Sequence, residues 1–87
     1  MPYINPELRK KYDIVLNQIE IIGGKGELEY CIYKLMVRYM NTREEKFSDL
    51  HDTVYAAQHC ADEFRRRRLD KREDVARELN GDIKEDL

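Results

Sequence analysis

The sequence predicts an all-α fold, a small bundle of three main helices plus a short C-terminal helix. Three observations lead there. Apolar residues recur at steps of three and four from Leu8 to Leu79. Both prolines, Pro2 and Pro6, lie at the N-terminal end, so nothing after residue 6 is interrupted by one. No stretch shows strand alternation bounded by turn residues.

The first helix starts at Asn5-Pro6-Glu7: a capping Asn, Pro at the first helical position, then an acid at the positive end of the helix dipole. Leu8, Tyr12, Val15, Ile19 and Ile22 form one apolar stripe, and Gly23 or Gly24 ends the helix. The second helix is expected from about Gly26 to Asn41. Leu28, Ile32, Leu35 and Tyr39 make one stripe on it, and Tyr30, Tyr33, Val37 and Met40 another. A helix apolar over most of its circumference is buried on several sides, and in so short a chain a second subunit is the expected cover.

A charged linker, NTREEKF, leads to Ser48, which is read as the cap of the third helix. Its stripe is Leu50, Val54, Ala57, Ala61 and Phe64, and the small residues Ala56, Ala57, Cys60 and Ala61 let another backbone come close. Asp70-x-x-Glu73 reads as a capping box that starts a separate last helix with Val75 and Leu79, ending at Asn80-Gly81. That break is preferred here over one continuous helix from 48 to 79. The tail, 82–87, is expected to fray.

The 87 residues fit a single helical domain over 1–87. A chain this short has a marginal core, and oligomerisation is one remedy. Charged residues are 39% of the chain, yet the net charge is only -2. That balance gives no global attraction to nucleic acid or anionic lipid, so neither is an expected partner. The N-terminus has no basic-then-apolar leader, and no apolar run approaches the ~20 residues that span a bilayer. Cys31 and Cys60 are too few for a disulfide scaffold, so the expected setting is the cytoplasm, with two free thiols.

Four places carry candidate chemistry. The segment IIGGKGELEY gathers three of the four glycines around Lys25. It lacks the G-x-x-x-x-G-K-[ST] spacing and the preceding strand of a P-loop. Glu27 and Glu29 occupy the first turn behind it, so it reads as a turn before a capped helix, with Lys25 at a site's edge. If the second and third helices pair antiparallel, Glu27 falls level with Asp62 and Glu63, and Glu20 arrives at the same level. Paired carboxylates from facing helices hold Mg²⁺ or Mn²⁺ in other bundles; a solvated charged rim is the plainer reading. His59 shares a face with Asp62 and Glu63 and joins them as a candidate metal ligand. A Cys31/Cys60/His59 zinc site is conceivable but has no C-x-x-C support. In EFRRRRLDKR, six of ten residues are basic. Arg65, Arg66 and Arg67 there, with Glu63, Glu27 and Lys25, make the candidate ligand site, since clustered arginines clamp phosphate or carboxylate bidentately. A salt-bridge belt is the bland alternative, and nucleic-acid contact through Arg65–Arg68 a further one.

MPYI at the start, GELEY at 26–30, EFRRR at 63–67 and NGDI at 80–83 resemble a family of short proteins from phages and prokaryotes. Its members show MPYI, GELNY, EFYRR and NGDV in that order. The resemblance spans essentially the whole chain. It implies a phage-type context and no reaction, the family being a domain of unknown function. The chain departs from the pattern at Glu29 and Arg65, so nothing is carried over to those two positions. A weaker similarity is to the all-α NTP pyrophosphatases (MazG-like), which hold Mg²⁺ with E-x-x-E and E-x-x-D on neighbouring helices. Glu27-x-Glu29 and Asp62-Glu63 do not match those spacings, and no residue is carried over as catalytic.

The reading that results is a small homo-oligomeric binding protein rather than an enzyme. It is a phage-type accessory factor for a host protein or a small anionic or nucleotide ligand. A Mg²⁺- or Mn²⁺-dependent nucleotide hydrolase and a nucleic-acid binder are the alternatives.

Overall fold

The structure is a computed structural model and describes residues 2–86. It is all-α: α1 runs Pro6–Leu16, α2 Lys25–Asn41, α3 Phe47–Phe64 and α4 Asp70–Asn80. A π-helical turn, Arg65–Leu69, joins α3 to α4 without a break. The described residues therefore form three α-helical stretches, the last a rod from Phe47 to Asn80 about 51 Å long at 1.5 Å per residue. A short 3-10 turn over Lys84–Asp86 lies within the tail expected to fray, and Leu87 is outside the described residues.

α1 starts as its sequence dictates. Asn5 is extended and its Oδ1 accepts from the Leu8 N–H at 3.0 Å, with Pro6 behind it. It ends six residues before Ile22, however. After Leu16 the N–H groups of Gln18 and Ile19 tighten onto Val15 and Leu16, three residues back, and regular structure stops. Ile19, Ile21 and Ile22 are β-branched, which disfavours helix, and all three are exposed. α1 itself packs on no other helix.

α2 and α3 form a helical hairpin around the five-residue linker 42–46. Met36 and Met40 of α2 and Ala57 of α3 are half-buried along the seam, and Thr53 is buried there. Thr53 satisfies its hydroxyl by donating to the Asp49 carbonyl at 2.8 Å, one turn back.

The expected break at Asp70 is absent. Asp70 has helical φ and ψ (−61°, −37°), so it caps nothing; its N–H donates to the Arg65 carbonyl, five residues back. The Asp70-x-x-Glu73 pattern is thus an acidic step inside a continuous helix. The rod ends where expected: Gly81, at φ 88° and ψ 152°, takes a backbone conformation that glycine alone adopts readily.

The compact three-helix bundle expected from the stripes does not form within one chain. The radius of gyration is 17.4 Å, against about 12 Å for a compact domain of this length. No apolar residue is buried among the described residues. α1 stands away from the hairpin, and α4 runs on past it.

Candidate functional site

Two concave surfaces meet at the end of the hairpin where α2 begins and α3 ends. The first is an apolar groove of ≈ 830 Å³ between α2 and α3. Leu28, Ile32, Leu35 and Tyr39, the first apolar stripe of α2, form one wall. The small residues of α3 form the other, and Phe64 and Leu69 close the end. The small side chains explain why there is a groove: nothing on the α3 side fills the space over the leucines.

The second is an open cleft of ≈ 390 Å³ lined by Tyr3, Cys60, Glu63, Phe64, Arg67, Arg68 and Lys71, with Pro2 at its edge. Cys60 and Phe64 border both surfaces. Tyr3 comes from the segment before α1. Its hydroxyl accepts from Arg67 Nη1 at 2.9 Å, and the guanidinium lies 5.9 Å from its ring centre. Arg68 lies 5.3 Å over the Phe64 ring.

Glu63 is the one acid in this cleft. Its Oε1 accepts from Arg66 Nε at 2.6 Å, and its side chain is only 10% exposed while that of Arg66 is 71% exposed. The Arg66 hydrogen bond holds the Glu63 carboxyl below its ordinary value, against the opposing effect of partial desolvation; the Arg66 charge, the Tyr3 hydroxyl and Arg67 act in the same lowering direction. With Glu63 matched by Arg66, the charges left facing the cleft are Arg67, Arg68 and Lys71.

The structure disperses the other sequence candidates. Arg65 lines the apolar groove instead of joining its neighbours. Lys25 pairs with Glu29 at 2.6 Å along α2, both exposed, and does not point into the glycine turn. Glu27 Oε2 accepts from the Gly23 N–H at 2.6 Å, which makes it a cap of α2. His59 stacks on Tyr55, continuing a ladder of Phe47, His51, Tyr55 and His59 spaced four apart along α3. Glu20 sits in the irregular segment after α1, not at a helix end as expected. Among the described residues, no three His, Cys, Asp or Glu side chains gather in a way that could hold a metal ion, Cys31, Cys60 and His59 included. Both cysteines are free.

Sequence reasoning missed Tyr3 and Lys71, and took Arg68 only as part of the Arg65–Arg68 run. Arg68 and Lys71 follow Phe64 at steps of four and three from it and from each other, a signal present in the sequence. Tyr3 had none, because its contact bridges 64 residues. The ladder on α3 was also legible as a step of four.

No described helix is long and apolar enough to cross a membrane. No curated protein and no solved structure matches the chain. A family model does, over residues 1–83, which agrees with the resemblance carried by MPYI, GELEY, EFRRR and NGDI: the chain belongs to the family described as a domain of unknown function, DUF6899.

Proposed function

We propose that the chain is a homo-oligomeric, non-enzymatic binding protein that takes a small anionic ligand, of nucleotide type, at the Tyr3–Phe64–Lys71 cleft. The observation that carries the oligomer is the lack of a core. The surface of one chain is 8432 Å², against about 5,400 Å² for a folded monomer of this mass. Leu28, Ile32 and Leu35 lie open in a groove that water would otherwise fill. Burying such a surface is the main favourable contribution to a fold this small.

The ligand reading is supported by the charge and shape of the cleft. Arg67, Arg68 and Lys71 outnumber an acid already matched by Arg66, and guanidinium groups suit phosphate oxygens. Tyr3 and Phe64 offer aromatic faces beside those charges. The family resemblance adds a phage-type accessory role.

Calorimetric titration with inorganic phosphate and with nucleoside mono- and triphosphates tests the ligand. Saturable binding to nucleotides is expected, weakened about tenfold or more in Arg68→Ala/Lys71→Ala, whose oligomeric mass stays that of the parent. Failure of every phosphate compound to bind the assembled protein would overturn the ligand reading.

A further inference from the structure

We propose that the α2–α3 groove is filled by α1 of a second copy of this chain, in reciprocal exchange. This rests on the homo-oligomer reading above and says how the assembly closes.

α1 presents an apolar stripe with no neighbour. Leu8, Tyr12 and Val15 are exposed by 43%, 48% and 62%, and α1 packs on no helix of its own chain. The groove offers an apolar face with no occupant. The lengths agree. The groove follows α2 from Leu28 to Tyr39, about 17 Å, and the rod from Thr53 to Leu69, about 24 Å; α1, about 17 Å long, matches the α2 wall and fits within the other.

The chain holds its own α1 away from its own groove. Tyr3 is tied to Arg67 at the end of the hairpin where α2 begins, and the Ile4 carbonyl accepts from Arg9 Nε at 2.7 Å, fixing the entry to α1. To run antiparallel beside its own α2, α1 would have to begin at the other end, near Asn41. The Tyr3–Arg67 contact places the start of α1 at the opposite end, and the stripe is exposed.

Symmetry and area then select the partner. In a two-fold assembly each patch of one copy meets a patch of the other twice. Pairing groove to groove would leave both α1 stripes in water. Placing each α1 in the other copy's groove covers both apolar surfaces with one symmetric contact. The surplus surface is about 3,000 Å² per chain. A flat interface of standard size removes about 800 Å² per partner, whereas obligate, extensive ones reach 5,000 Å² in total. An exchanged helix supplies contact on that larger scale.

The test uses the unmodified chain. Isotopically labelled and unlabelled protein are unfolded together, refolded as mixed oligomers, and examined by isotope-filtered nuclear Overhauser spectroscopy. The expected result is intermolecular contact from the methyls of Leu8 and Val15 to those of Ile32, Leu35 and Ala57. The same contacts seen only within one chain would overturn the exchange, showing that α1 folds back. Intermolecular contacts confined to α2 and α3 would overturn it as well, in favour of groove-to-groove pairing. A monomeric mass by light scattering would instead remove the oligomer reading on which the exchange rests.

Discussion

Glu27 and Glu63, both candidates for ion binding by their spacing, are each taken up by a neighbour within four residues. Glu27 closes the start of α2 by reaching back to the Gly23 N–H. Glu27→Ala should therefore lower stability by about 1 kcal/mol, read as a shift in the denaturation midpoint at unchanged slope. Gly23→Ala should give a similar or smaller loss, because an added Cβ would meet the flexible Glu27 carboxylate at 2.6 Å and displace it. Glu63 sets a pH dependence. Its carboxyl is held below 4.5 in the folded chain, so in that window the unfolded chain binds more protons than the folded one. The contribution of Glu63 is full above about pH 4.5. It is lost as the pH falls through the depressed folded value. Acid titration of Glu63→Gln should accordingly show a shallower loss of stability below pH 4.5 than the parent. An unchanged acid limb would mean that the Arg66 pair is not held in solution. At this scale the sequence was legible where partners are close along the chain. The Asn5 cap was read directly from an Asn before a Pro. The Tyr3–Arg67 contact was not, since no local pattern announces it.

At the scale of elements, periodicity and end signals disagree in two instructive places. The stripe Leu8–Ile22 keeps helical spacing throughout, yet α1 stops at Leu16. Spacing records which face residues share, but not that the β-branched Ile19, Ile21 and Ile22 are poor helix formers. In the second place, Asp70-x-x-Glu73 has the residue types of a capping box but sits in a helical backbone. Local side chains cannot end a helix that the π turn at Arg65–Leu69 continues. This yields a sharp prediction. If Asp70 were an N-cap, Asp70→Ala would cost about 1 kcal/mol; in a continuous rod it should change stability by less than about 0.5 kcal/mol. Carbon chemical shifts in both proteins should stay helical without interruption from Phe47 to Asn80.

For the whole molecule, the stripes on α1, α2 and α3 were all legible, and the structure leaves their apolar residues exposed. What no single stripe states is whether cover comes from the same chain. A bundle and an exchanged assembly place the same residues on the same faces; the Tyr3 tie and the stand-off of α1 are what favour the proposed exchange. The groove gives the consequence for mutation. Leu35→Asp places an unpaired charge on a surface that the proposed assembly would desolvate, so it should dissociate the oligomer or unfold it. Leu79→Asp, on the 80% exposed outer end of α4, serves as the contrast and should leave assembly closer to the parent. The most direct measurement of the central claim is the mass of the unmodified protein by light scattering across micromolar concentrations. An integral multiple, two or more, of the 10.5 kDa chain is expected. A stable, folded species of 10.5 kDa at every concentration would contradict it.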